Sequence, residues 1–184
     1  MTGGGLFSIP HMAGALLILG AILIGVGASV ATMAKDKGGP VIWGQPPREW
    51  LRLIFEHQDA WRWGAILWIA GMVVTLLGLP LLTDLLRSAG DPGFAQAGLL
   101  AFTVSIALWV ISLSFRASVD IWAARTAAAT HSVPESYAPL SAWSGALFII
   151  FTIIAFVALA LYGGAILASN LLPGWVGWAS IIFA

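Results

Sequence analysis

The chain contains no cysteine among its 184 residues. Disulfide bonds, thiolate metal sites, iron–sulfur clusters and cysteine nucleophiles are therefore excluded. Charged residues are also scarce, at 9% of the sequence, whereas a typical soluble domain carries about 25%. Apolar residues reach 60%. This balance excludes a soluble globular protein.

An excess of charge of either sign is missing as well, because eight Lys and Arg balance eight Asp and Glu. A basic face for nucleic acid is therefore not expected, and no nucleic-acid partner is predicted. The local clusters of positive charge instead indicate membrane topology or contact with anionic lipid.

Motifs for catalysis and cofactor binding are missing too. There is no Gly-x-Ser-x-Gly elbow, and no Lys-Ser or Lys-Thr follows the glycines at positions 3–5. No apolar run holds a central histidine or carboxylate, which argues against haem and against proton-coupled transport. We predict no catalytic residue, metal or cofactor, and leave open a bound lipid, pigment or quinone.

Long apolar segments are abundant. Four of them, at about 12–33, 60–79, 94–115 and 144–167, are long enough to cross a membrane, which takes about 20 residues. A fifth, at 174–184, rises only about 16 Å, roughly half the hydrocarbon core. We expect it to be a span cut short, because free carbonyls inside lipid are costly.

The connection between the first two spans contains an amphipathic segment at about 47–57. Pro46 and Pro47 suit a helix start, and an apolar face follows, formed by Trp50, Leu51, Ile54 and Phe55. We expect a cytoplasmic helix lying in the membrane interface. The fold class is thus an all-α polytopic integral membrane bundle, in one transmembrane domain over 1–184.

The distribution of basic residues orients this bundle. Seven of the eight Lys and Arg lie at 35–62 or 116–125, and cytoplasmic loops retain such residues. The N-terminus is therefore expected outside, with the loops near Lys37 and His131 inside. Tryptophans expected at the interfaces are, on the inner side, Trp43, Trp50, Trp61, Trp63, Trp122 and Trp143, and on the outer side, Trp175 and Trp178.

Four charged residues near the third span form a candidate site. Arg116 and Asp120 are four apart, share a helical face and can form an ion pair. Together with Arg62 and Arg125 they would seat an anionic headgroup or a ligand carboxylate. The alternative is that Arg116 is an end anchor whose head snorkels to the interface.

Two further sets of residues are candidates for a role. Glu56, His57 and His131 form a candidate cytoplasmic polar cluster, for which solvated loop side chains are the alternative to zinc ligands.

Ala21, Gly25 and Ser29 recur at every fourth position of the first span, a stripe that predicts close helix packing. Glycine is common in any membrane helix, so an incidental stripe is the alternative.

The second half of the chain carries a family resemblance. Its segments FRASVDIWAARTAAATHSVPESYAPLSAWSGALF, LYGGAIL and LLPGWVGWA resemble uncharacterised bacterial multi-pass membrane proteins of about six helices. The resemblance implies a bacterial inner membrane and brings no catalytic residues with it. This chain differs by stopping in the fifth helix.

We therefore expect a non-enzymatic accessory, assembly or structural subunit of a larger membrane complex, in contact with the bilayer and other membrane subunits. A small-molecule transporter is the first alternative, and it requires Thr75, Ser105 and Thr152 to converge on water. A membrane-interface enzyme acting on lipid is the second. It requires one cleft to gather Glu56, His57, Arg62, Arg116, Asp120 and His131.

Overall fold

The computed structural model describes residues 8–32 and 46–184, which contain helices and short connections but no strand. In chain order the helices are α1 Ile9–Thr32, α2 Pro47–Glu56, α3 Gln58–Ser88, α4 Phe94–Phe115, α5 Ile121–Thr130, α6 Tyr137–Ser169 and α7 Gly174–Ile182. A π-helical segment, Arg116–Asp120, joins α4 to α5. The expectations at Gly3–Gly5, Lys35, Lys37 and Trp43 lie outside the described residues.

Four helical stretches of the described chain are long and apolar enough to cross a membrane, as expected for an integral membrane protein. They are Ile9–Val30, Gln58–Ser88, Phe94–Thr130 and Tyr137–Ser169. The last three contain 31, 37 and 33 residues. At about 1.5 Å per residue each exceeds a hydrocarbon core of about 30 Å. These helices are therefore longer than the apolar windows read from the sequence, and Pro80 lies inside α3 without ending it.

Local sequence signals mark the ends of the long helices. The Asp91 carboxylate accepts hydrogen bonds from the Phe94 and Ala95 backbone N–H groups, at 3.1 and 3.0 Å, and so caps the start of α4. Asn170 closes α6 in the left-handed conformation, with φ of 52°. Pro173 then precedes α7.

The packing of α1 on α3 depends on glycine. A Cβ built at Gly27 would lie 2.6 Å from the Trp68 backbone nitrogen and 2.7 Å from the Gly64 carbonyl oxygen. A Cβ built at Gly20 would lie 3.0 Å from the Gly71 carbonyl oxygen and 3.0 Å from the Thr75 backbone nitrogen. The two backbones can touch only because these side chains are absent.

The predicted stripe of small residues lies elsewhere on α1. Ala21, Gly25 and Ser29 are exposed, and a Cβ built at Gly25 meets no atom within 4 Å. The expected helix contact is therefore not made by this stripe within the described chain. Gly20 and Gly27 lie on the other side of the helix, where they are buried against α3.

Aromatic rings fill the middle of the bundle. Trp109 is fully buried, and its ring lies 4.8 Å from Phe151 in a stacked arrangement and 4.9 Å from Phe148. Trp68 meets it edge-on at 5.1 Å. Such offset and edge-to-face pairs add to the stability gained from burial.

Two buried hydroxyl pairs tie α6 to its neighbours above and below this aromatic layer. Ser112 and Ser144 join α4 to α6 at 3.0 Å. Thr83 and Tyr162 join α3 to α6 at 2.8 Å. Each buried hydroxyl of these pairs is thereby satisfied.

The glycine contact yields a matched pair of substitutions. Gly27→Ala should destabilise the protein by about 1–3 kcal/mol, since the new methyl group meets backbone atoms that must move. Gly25→Ala should be neutral or slightly stabilising, because the site is open and alanine favours a helix. Unfolding in detergent, followed by circular dichroism, measures both. Equal losses in the two variants would contradict this account of α1.

Candidate functional site

The candidate site lies in a small subdomain at one end of the bundle, which we call the cap. It comprises α2, the first turns of α3, the π-helical segment, α5 and the start of α6. Its hydrophobic core consists of Leu51, Ile54, Trp61, Phe115, Ile121, Ala123, Ala124 and Tyr137. The cap therefore has a core of its own, separate from the aromatic layer of the bundle.

The apolar face of α2 packs against protein. Leu51 is fully buried and Ile54 is 3% exposed, and both belong to the same core as Ala123 and Ala124 of α5. The expectation that Leu51 and Ile54 contact lipid is thus wrong, since α5 covers them. Phe55, on the flank of this face, stays 42% exposed.

A buried carboxylate lies at the centre of the cap. Asp120 is 3% exposed, and its Oδ1 accepts a hydrogen bond of 3.0 Å from the Tyr137 hydroxyl. Trp50 of α2 packs against the same core, to which Tyr137 belongs. Tyr137 therefore joins the π-helical segment to α6 inside a core that α2 also covers.

Arg116 shares this buried region. Its guanidinium carbon lies 5.7 Å from the centre of the Trp109 ring, within the range of a cation–π contact. It also interacts electrostatically with Asp120. Its backbone carbonyl accepts a hydrogen bond of 3.0 Å from Trp61 Nε1 on α3. The π-helical segment is thus hydrogen-bonded to α3 through Trp61 as well as within its own helix. Such π-helical turns are often found at functional sites.

The other two arginines of the predicted set lie on the surface. Arg125 is exposed, and its Nε donates to Gln58 Oε1 at 2.7 Å. Arg62 is exposed on α3. The structure therefore places Arg116, partly buried, and Asp120, buried, on the π-helical segment within electrostatic reach of each other, and leaves Arg62 and Arg125 on the surface.

The predicted polar cluster is also divided. Glu56 accepts a hydrogen bond of 2.6 Å from Arg52, His57 is exposed at the junction of α2 and α3, and His131 lies at the end of α5. Within residues 8–32 and 46–184, no three His, Asp or Glu side chains are close enough to hold a metal ion.

A groove between α2 and α5 was not predicted from the sequence. It has a volume of about 390 Å³, and its walls are formed by Pro46, Arg48, Glu49, Arg52, Phe55, Ala124, Ala127, Ala128 and His131. The spacing of Arg52 from Glu49 and Glu56 was visible in the sequence, as a helical ion-pair pattern. The approach of α5 was not, because it depends on tertiary packing.

Hydrogen bonds from Arg52 organise the acidic side of the groove. Arg52 donates to Glu49 from Nε, at 3.1 and 3.2 Å, and from Nη2, at 2.5 Å. These bonds, together with the positive charge, hold the pKa of Glu49 below its usual value. Glu49 therefore stays ionised and tied to Arg52 at neutral pH.

The buried hydrogen bond of the cap yields a second prediction. Tyr137→Phe should cost about 1.5–3 kcal/mol of unfolding free energy, because it removes a donor from a buried carboxylate. Tyr162→Phe, which breaks the neutral pair with Thr83, should cost only about 0.5–1.5 kcal/mol. Unfolding of both variants in the same detergent makes the comparison. A larger loss for Tyr162→Phe would show that Asp120 does not rely on Tyr137.

Comparison with known proteins gives no relative: no protein-family model, curated protein or solved structure matches this chain significantly. The resemblance to bacterial multi-pass proteins rests on the segments quoted above.

Proposed function

We propose that this chain is a non-enzymatic accessory, assembly or structural subunit of a larger membrane complex. The observation that carries the proposal is the solid interior of the bundle. Trp109, Phe148 and Phe151 pack ring against ring at its centre. A centre filled by aromatic rings suits a structural role better than passage of a solute.

The hydroxyls that a transporter would need are engaged by their own helices. Thr75 donates to the Gly71 carbonyl at 2.9 Å, Ser105 to Phe102 at 2.8 Å and Thr152 to Phe148 at 2.8 Å. This is the ordinary behaviour of hydroxyls on membrane helices. It supports a structural subunit over the transporter alternative.

The lipid-enzyme alternative required six polar residues in one cleft. Of these six residues, only His131 lines the groove in the cap, and the other five are not part of its walls. The distribution of these side chains over the cap surface and interior thus favours the non-enzymatic role.

Exposed tryptophans support a placement in the bilayer. Trp63 and Trp143 are exposed and lie near the level at which α4 ends. Trp61, two residues before Trp63, donates a hydrogen bond to Arg116 just after α4. Ser144, next to Trp143, bonds to Ser112 in the last turn of α4. At the opposite end, Trp175 is 72% exposed. Aromatic residues of this kind mark the two membrane interfaces, and the 22 residues of α4 span about 33 Å between them.

The orientation within this placement follows from charge. Apart from one arginine near the end of α3, all Lys and Arg lie on the side of the cap or in the segment that leads to it. The positive-inside rule favours a cytoplasmic cap and an external N-terminus. The resemblance to bacterial multi-pass proteins supports a bacterial inner membrane as the location.

The exposed stripe of small residues on α1 suggests where a partner helix packs. Ala21, Gly25 and Ser29 face away from α3, and small side chains allow a second backbone to approach closely in lipid. Without a partner helix, lipid chains would cover this face.

Cysteine labelling tests the orientation cleanly, because the chain has no cysteine. A membrane-impermeant reagent applied from outside should label Ala89→Cys and should leave Glu135→Cys unlabelled until the membrane is opened. Labelling of Glu135→Cys in intact cells would reverse the topology. The equivalent positions Gly5 and Gly39 lie outside the described residues.

Purification from native membranes in a mild detergent tests the subunit role. We expect a stoichiometric membrane partner that Gly25→Leu removes and Gly145→Leu retains, since both glycines are exposed and open but only Gly25 lies in the stripe. Mass measurement distinguishes a different protein from a second copy of this chain. A wild-type protein that purifies alone as a monomer would overturn the proposal.

A further inference from the structure

The groove between α2 and α5 has a polar end and an apolar wall. Arg48, Glu49, Arg52 and His131 supply the polar groups. Phe55 and three alanines of α5 supply the apolar surface. Its volume, about 390 Å³, lies in the range of small-molecule sites.

Among the described residues, one cation of the groove has no counter-ion. Arg52 is neutralised on both sides, by Glu49 and by Glu56. Arg48 is exposed and forms no ion pair with any residue in the described ranges. A guanidinium presents a planar set of donors that matches phosphate or carboxylate oxygens, and the His131 ring adds a further donor or acceptor. The polar end is therefore suited to an anion.

The apolar wall adds a requirement for a ring or a short hydrocarbon group. Phe55 exposes much of its ring on α2, and Ala127 and Ala128 present a low surface on α5 opposite it. Ala124, which also lines the groove, is buried in the cap core. Alanines leave room for a flat group between the two helices. A ligand with an aromatic or compact apolar group should therefore bind more tightly than an inorganic ion, because burial of that group against the wall contributes free energy.

The height of the groove decides where such a ligand comes from. Ala124 and Ala128 follow the end of α4, at Phe115, by 9 and 13 residues, a rise of about 14–20 Å. The headgroup layer on each side of a bilayer is only about 6 Å thick. The groove thus lies beyond the lipid headgroups of the proposed placement, on the water side.

We propose that this groove binds a water-soluble organic phosphate. Its phosphate contacts Arg48 and His131, and its apolar part lies between Phe55 and the alanine wall. The site is independent of the subunit role, because it belongs to the cap of the chain itself. It does depend on the membrane placement, which excludes a lipid as the source of the phosphate.

Binding of phenyl phosphate to the purified full chain in detergent, measured by calorimetry, tests the proposal. We expect it to bind more tightly than inorganic phosphate or benzyl alcohol, each of which supplies only half of the ligand. Arg48→Gln should weaken binding roughly tenfold, the effect of losing a charge-assisted contact. Arg87→Gln, at the opposite end of the bundle, should leave it unchanged.

A second pair of variants tests the apolar wall. Ala128→Phe fills the groove and should abolish binding, whereas Ala129→Phe, its exposed neighbour outside the groove, should not. All four variants should unfold at the same temperature as the unchanged protein. Equal affinity in Arg48→Gln and Arg87→Gln, or in the two alanine variants, would overturn the site.

A third arm separates the soluble source from a lipid. Phosphatidylglycerol added in nanodiscs should not compete with phenyl phosphate. Competition that Arg48→Gln abolishes would overturn the soluble assignment and assign the site to a lipid headgroup. The subunit proposal is tested by co-purification, and its outcome does not depend on whether phenyl phosphate binds.

Discussion

The hydrogen bond from the Tyr137 hydroxyl to Asp120 fixes how α6 lies against the long α4–α5 helix. A carboxylate buried to this degree requires donors, so the start of α6 must stay beside the π-helical segment. With that point fixed, the antiparallel register brings Ser112 to Ser144 and Trp109 to Phe148. The aromatic layer of the bundle and the core of the cap thus depend on one polar contact.

The cap and the bundle are stabilised by different forces. Within lipid, apolar side chains gain little from leaving one apolar surface for another, so α1 and α3 associate through backbone contact at Gly20 and Gly27. In the cap, which the proposed placement puts in water, burial of Leu51 and Ile54 removes apolar surface from water, the usual driving force of a soluble core. One chain therefore uses both kinds of packing, one on each side of the proposed membrane boundary.

The cap also explains why the long helices exceed the membrane thickness. Their extra turns give α2 a surface to pack on, and this packing creates the groove between Arg48 and the alanines of α5. The proposed subunit and ligand-binding roles therefore use different parts of the molecule: the exposed side of α1 in the bundle, and the groove in the cap.

Much of the architecture was predicted from composition and periodicity. Apolar runs predicted the four long helices, since crossing lipid constrains each segment by itself. The amphipathic helix was predicted near Pro47–Glu56 for the same local reason. The packing of α5 on its apolar face was not predicted. An amphipathic pattern shows that one face of a helix is buried, but it does not show what buries that face.

The sequence by itself determined the helices, their apolar surfaces and the scarcity of charge within them, because these are properties of short segments. Only the tertiary structure decided which glycines touch a neighbour: Gly25 and Gly27 are equivalent in the sequence, and only Gly27 meets a backbone. It also decided that Asp120 is bonded by Tyr137 and that α2 and α5 enclose a groove. Such contacts depend on residues far apart in the chain, whose distances no local pattern contains.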